Sequence, residues 1–239
     1  MDRTPVVVRC GERELRGGVR SAESWAAAAC RVAAPLSGTV VAADLSGPTK
    51  AFVVEPDLTV TLRTMTRGDL PLLARWLGEP HVQRWWHHDG EPTAERVATT
   101  YGPRIDGSTP TCMWVAEVNG RSVGFVQDYR IRDYPDFALL TPDPDAIGLD
   151  YVIGEPEWVG RGLGARVLWT WMLDAARRFP AAEGFFAAPD HTNVASLRVL
   201  DKVGFTRGIW FDEPQRDGGV ATMVGCTLDV RRVLRGSAT

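Results

Sequence analysis

Three glycines at alternate positions, Gly160-Arg161-Gly162-Leu163-Gly164, constrain this chain more than any other feature. They follow a segment that reads as a strand, Ile147–Ile153. They open one that reads as a long amphipathic helix, Arg161–Phe179. Glycine admits the positive φ of a tight turn and lets backbone N–H groups approach a bound group closely. The helix that follows directs its unsatisfied N–H groups and its positive dipole end into the same space. Such a turn suits an anion, a diphosphate above all; a strand-to-helix connection with no ligand is the plainer alternative. A Walker loop needs Gly-Lys followed by Ser or Thr, whereas Gly164 is followed by Ala165-Arg166. A dinucleotide fingerprint needs Gly-x-Gly-x-x-Gly at the first strand of a βαβ unit, and this run is spaced differently and lies two-thirds along the chain. Nucleoside triphosphates and NAD are therefore poor fits.

Around that turn the pattern alternates strands with helices. Thr59–Met65 reads as a strand, and Asp69 starts a helix with Leu70, Leu73, Trp76 and Leu77 on one face. His81–Asp89 reads as an aromatic, His-containing loop, and Thr93 as the cap of a helix running toward Ile105. Cys112–Val118 and Arg121–Arg132 flank Asn119-Gly120, the dipeptide that a type I′ hairpin turn prefers. Gly184–Ala188 reads as a short strand, Asn193–Val203 as a helix, and Phe205–Phe211 with Val220–Asp229 as a closing hairpin around Asp217-Gly218-Gly219. The order predicts an α+β fold with a mixed central sheet flanked by helices. Residues 1–57 read differently. They show a possible hairpin around Gly11, a short Ala-rich helix capped by Ser21, and strands at Val40–Leu45 and Phe52–Val54. The division expected is an N-terminal α/β extension of unreadable role, 1–57, ahead of a main domain, 58–239.

Composition narrows the function. With 239 residues, 44% hydrophobic and 24% charged, the chain is of ordinary globular type and long enough to bury a core without disulfides or metal. A net charge of −3 attracts neither nucleic acid nor an anionic membrane and fits a cationic partner better. No run of about 18 apolar residues is present to span a bilayer. The four cysteines, at 10, 30, 112 and 226, form no CxxC and have no His at ligand spacing. That argues against zinc and a disulfide framework and for a cytoplasmic protein. His87 and His88 invite a metal reading, but no second cluster accompanies them, so loop hydrogen bonding is the expectation.

The run Val159 to Ala165 between strand and helix, then Asn193 leading a helix that ends Lys202-Val203-Gly204-Phe205, resembles the GNAT acyl-CoA-dependent N-acetyltransferases. A narrower resemblance, over about Leu58 to Val230, is to the aminoglycoside 6′-N-acetyltransferases. It rests on Val60-Thr61-Leu62-Arg63, Trp76-Leu77, His81 with Trp85-Trp86, Gly124, Gln127 with Tyr129, Gly148-Leu149-Asp150 and Pro189-Asp190. Residues 1–57 lie outside it and read as an added N-terminal module.

The resemblance implies acetyl transfer from acetyl-CoA to a primary amine of a small cationic substrate, an aminoglycoside, for antibiotic resistance or self-protection, with no metal. The coenzyme would be held by the backbone of Val159, Gly160, Arg161, Gly162, Leu163, Gly164 and Ala165. Asn193 would lie beside its pantetheine arm, and Tyr151, Val152 and Ile153 would offer a backbone N–H to the thioester carbonyl. Asp150 would hold and deprotonate the ammonium, and Asp190 would be a second substrate-binding acid; a turn or capping role is the plainer alternative for each. Gln127 and Tyr129 would bind sugar hydroxyls, and Trp85 or Trp86 would stack under a ring. Eight acids against Arg130 and Arg132 between Asp128 and Glu157 give a net −6, expected to draw a polyamine to the cleft. Two departures stand out. Val159 occupies a position where the family has Gln or Arg. Leu200 stands where the family often has the Tyr that protonates the leaving thiolate, so a water or Tyr151 is left to do so. An acceptor such as a siderophore lysine or a protein N-terminus is the alternative within the family. A non-catalytic acyl-CoA- or aminoglycoside-binding module is the alternative outside it.

Overall fold

The structure, a computed structural model, describes residues 4–86, 90–139, 141–214 and 218–236. Its main sheet has seven strands: β5 (Val60–Thr64), β6 (Cys112–Val118), β7 (Arg121–Arg130), β8 (Ile147–Ile153), β9 (Gly184–Ala187), β10 (Thr206–Pro214) and β11 (Val220–Asp229). Their order is β10-β11-β9-β8-β7-β6-β5, antiparallel throughout except where β8 meets β9. The sheet is therefore mixed, and the β6–β7 turn runs through Asn119 and Gly120 at φ 49° and 78°, as Asn-Gly predicts.

Alternation along the strands assigns the two faces. Met113, Val115, Phe125 and Val152 bury one face against α2 (Leu70–Leu77) and α4 (Ala94–Ile105). Ala116, Val126, Ile147 and Leu149 bury the other against α6 (Leu163–Arg178) and α7 (Val194–Val203). Helix α6 begins two residues later than its apolar spacing suggests, because Gly162 takes φ 74° and cannot continue a right-handed helix. The stretch read as a loop from His81 starts with a helical turn, α3 (Pro80–Gln83), which Pro80 at the first position favours. A second short helix, α5 (Pro135–Ala138), lies in the acidic connection before β8.

The N-terminal residues form a second, four-stranded sheet ordered β2-β1-β4-β3. Its strands are β1 (Pro5–Cys10), β2 (Arg13–Gly18), β3 (Val40–Asp44) and β4 (Lys50–Val54). Helix α1 (Trp25–Ala33) packs on it, capped by Ser24, which accepts from the Ala27 N–H at 3.1 Å. The expected cap, Ser21, lies outside the helix, and Ala22 beside it turns the chain with φ 62°.

This sheet shares one continuous core with the rest. Phe52 stands edge-on to Trp169 of α6 at 5.6 Å, and the Leu45 N–H donates to the Lys202 carbonyl at the end of α7. Glu55 pairs with Arg166, beside the glycine turn. Phe52 is wholly buried. Phe52→Ala is therefore expected to cost about 4 kcal/mol in urea denaturation, lowering the midpoint of one transition that includes the main sheet.

Candidate active site

Strand β8 is bonded to β7 along its whole length, Ile147 to Ile153, but to β9 at only two positions, Ile147–Phe185 and Gly148–Phe186. Beyond Gly148 the parallel strands part. The β9-facing edge from Asp150 to Ile153 is left without a strand partner; the Ile153 carbonyl is bonded to His81 Nε2 at 2.8 Å, and the N–H groups of that edge remain for something else. The Tyr151 side chain crosses to α7, its hydroxyl 2.9 Å from Ser196 Oγ. Burial raises the Tyr151 pKa, so the phenol stays protonated.

The glycine turn lies at the start of the helix that packs on β8. Gly160 and Gly162 both have left-handed φ, 77° and 74°, which lets the turn fold back on itself and open α6. Val159, Gly160, Arg161 and Gly162 are exposed, whereas Leu163, Gly164 and Ala165 are buried, so the turn is open to solvent and the first residues of the helix are not. Asn193 caps α7, its Oδ1 accepting from the Ser196 N–H at 3.1 Å.

Gln127 of β7 stands directly opposite Asp150 of β8 in the sheet register, and its Nε2 donates to Asp150 Oδ2 at 2.8 Å. The other end of the same amide, Oε1, accepts from Arg104 of α4 at 2.6 Å. The Tyr129 hydroxyl lies close enough to Asp150 to favour its ionised form. Gly148 lies opposite Tyr129, and a side chain there would meet the ring at 2.6 Å, so the phenol lies flat on β8. Burial raises the Asp150 pKa above the ordinary carboxylate range; the Gln127 hydrogen bond, the Arg104 charge and the Tyr129 hydroxyl oppose it.

These groups wall an open cavity of about 290 Å³, lined also by Tyr134, Phe137 and Glu213. A second cavity of about 630 Å³ adjoins it, bounded by Leu77, Trp86, Tyr101, Glu91, Glu95 and Arg96. Arg104 and Gln127 belong to both walls and form the partition.

Several expected residues are brought together here: Asp150, Gln127 and Tyr129 in the smaller cavity, Trp86 in the larger. Trp86 is fixed edge-on to Phe125 at 5.0 Å, and its Nε1 donates to the Tyr101 hydroxyl at 2.7 Å. Trp85 lines neither cavity and stacks with Arg84 at 4.7 Å. Asp190 lines neither as well. Its Oδ1 accepts from the Thr192 N–H and hydroxyl at 2.7 and 2.6 Å, the local turn chemistry that Pro-Asp favours, and Ala188 forms the wall instead. Leu200 is wholly buried and carries no proton to give. His87 and His88 fall outside the described residues. No group of three potential metal ligands is found among the described residues. Nor is any described helix long and apolar enough to cross a membrane.

The acidic run is corrected more deeply. Asp128 is fully buried on the opposite face of the sheet, paired with Arg178 at 2.6 Å and accepting from the indoles of Trp114 and Trp171. Glu155 pairs with Arg75, Glu157 with Arg121 and Asp145 with Arg132. Of the eight acids, only Asp150 lines either cavity. The acids joining it there are Glu213, Glu91 and Glu95, from distant segments. Arg104 and Glu213 have no role in the sequence reading. Arg104 follows buried Tyr101 by three residues, a spacing that signals a shared helix face. Glu213 reaches the cavity only because β11 pairs with β9 through Cys226–Asp229 and carries the rest of the hairpin past the end of β9, which no local pattern announces.

Comparison with known proteins follows the same outline. A profile described as an acetyltransferase (GNAT) domain matches residues 65–212. The aminoglycoside N(6′)-acetyltransferase type 1 of Klebsiella pneumoniae is 28% identical over 159 residues, 66% of this chain and 79% of that protein. The lysine N-acyltransferase MbtK of Mycobacterium tuberculosis (strain CDC 1551 / Oshkosh) is 26% identical over 143 residues, covering 60% and 67%. Among solved structures, the aminoglycoside acetyltransferase AAC(6′)-Ib in complex with paromomycin and acetyl-CoA superposes with a TM-score of 0.64 at 26% identity. That match covers 75% of this chain and 99% of the other.

Proposed function

The chain belongs to the GNAT acetyltransferase family, and from that premise we propose that it moves an acetyl group from acetyl-CoA to a primary amine bound at Asp150, the 6′-amino group of an aminoglycoside. The observation that carries this reading is the position of the Asp150 carboxylate, inside a cavity and at the point where β8 leaves β9. Acetyl-CoA, when bound, supplies an activated thioester.

The residues fit that co-substrate. The exposed turn from Val159 to Gly162 and the start of α6 suit its diphosphate. The open β8 edge from Tyr151 to Ile153 suits its extended arm and offers N–H donors where negative charge develops on the acyl oxygen. One such donor is commonly worth about 3 kcal/mol of barrier.

Asp150 binds the incoming ammonium and accepts its proton, while Gln127 fixes the carboxylate. A carboxyl with a raised pKa is the better base for this task. Trp86 and Tyr101 give the larger cavity a wall on which a sugar ring packs. With Leu200 unable to donate, the Tyr151 hydroxyl or a water protonates the departing thiolate. The biological role that follows is antibiotic resistance or self-protection.

Arg104 favours a second reading, a lysine-type acceptor whose carboxylate it would receive. Thiol release from acetyl-CoA, measured with kanamycin, tobramycin, gentamicin and lysine in turn, tests both. Release with kanamycin is the expected result; release with lysine alone would transfer the assignment to the second reading.

A further inference from the structure

Arg104 stands where the larger cavity meets the one that holds Asp150. Its guanidinium and the Gln127 amide are common to the walls of both cavities. The guanidinium is held by its bond to Gln127 Oε1 at 2.6 Å and by stacking on Tyr101 at 4.9 Å. Among the described residues no carboxylate pairs with it directly. A fixed positive charge therefore stands one carboxamide away from the carboxylate proposed to bind the reacting amine.

This is an unexpected neighbour in a pocket for a cation, and it has a chemical consequence. A substrate whose reacting ammonium sits on Asp150 brings its next ring substituents against Arg104. A hydroxyl there accepts a hydrogen bond from the guanidinium; a second ammonium there meets a like charge at short range, in a partly desolvated wall. Resting on the aminoglycoside reading, we infer that Arg104 is a specificity-determining residue that admits a hydroxyl and rejects a second ammonium on the sugar ring carrying the acetylated amine. The substrate class narrows accordingly, to aminoglycosides whose reactive ring bears only one amine.

The inference runs against the general electrostatics, which makes it sharp. The chain is net negative, and acids outnumber Arg96 and Arg104 among the described residues lining the two cavities. Long-range attraction alone would favour the substrate with more ammonium groups. A preference for fewer must come from the local cation.

Kanamycin A and kanamycin B provide the test, since they differ only by a hydroxyl or an amine at one carbon of that ring. Their dissociation constants are measured by calorimetry on the full chain with coenzyme A, together with thiol release from acetyl-CoA, for the unsubstituted protein, Arg104→Gln and Arg104→Lys. Kanamycin A is expected to bind about tenfold more tightly than kanamycin B. The ratio should fall to within about twofold in Arg104→Gln and persist in Arg104→Lys, which keeps the charge. Any effect of Arg104 on Asp150 is common to both ligands and cancels in the ratio. A ratio near one in the unsubstituted protein, or one that survives Arg104→Gln, overturns the inference. Selective binding without thiol release would overturn the acetylation reading and leave the Arg104 selection standing. Binding of neither kanamycin overturns both.

Discussion

Asp150→Asn is expected to lower kcat/KM for the amine by about 100-fold while leaving acetyl-CoA affinity unchanged. The substitution keeps the shape of the side chain and a hydrogen bond to Gln127, but it removes both the charge that holds an ammonium and the site that accepts its proton. General-base contributions of this kind are commonly worth 10²–10⁴-fold. The pH profile has a defined sign. Burial raises the Asp150 pKa, so the ionised, active form is lost as pH falls through a value above the ordinary carboxylate range. In the unsubstituted protein the acid limb of kcat/KM therefore lies higher than for an exposed Asp, and in Asp150→Asn that limb disappears.

Stability moves the other way. A carboxyl whose folded pKa exceeds its unfolded value contributes stability below the unfolded pKa, and that contribution is lost as pH rises through the folded one. At neutral pH the charged Asp150 is thus a cost to the fold, and Asp150→Asn should melt no lower than the original. A fall in melting temperature of several degrees would mean that Asp150 is a structural residue and would sink the catalytic assignment.

Arg178→Leu is the second large effect, and it concerns the other face of the same strand pair. Asp128 is inaccessible to solvent, and its carboxylate is satisfied by Arg178 and two indole N–H groups. Removing the guanidinium strands a buried charge, which commonly costs 3–5 kcal/mol. Chemical denaturation should show that loss, and acetyl transfer measured well below the unfolding midpoint should be nearly unaffected. Adding Asp128→Asn to Arg178→Leu should recover most of the stability, because the charge and its partner are then removed together. Equal stability of Arg178→Leu and the original would show that Asp128 is not buried as an ion pair.

These two experiments separate neighbours in the sequence that the sheet sends to opposite sides. Gln127 and Asp128 are consecutive on β7; one faces the cavity and the other the α6 core, because strand side chains alternate. As letters they are equivalent members of an acidic, polar stretch. Counting charge along that stretch therefore overstated the cleft: Asp128, Asp145, Glu155 and Glu157 each have an arginine, drawn in most cases from a segment far away in sequence. Pairing of that kind depends on register and helix docking, and no window of sequence contains either.

What the sequence determined by itself is local. The glycine turn, the α6 amphipathy, the Asn-Gly hairpin and the order of strands and helices are all fixed by backbone sterics and by apolar spacing over a few residues. They were enough to indicate the family, because its coenzyme turn is itself a contiguous piece of backbone. The tertiary structure alone decided the rest. It parted β8 from β9, joined the N-terminal sheet to the core through Phe52 and Trp169, turned Asp190 into its own loop, and set Arg104 beside Gln127 and Asp150. Each of those outcomes rests on contacts between residues tens of positions apart or on competition for a hydrogen bond. Such choices are made by packing and desolvation once the chain has closed on itself.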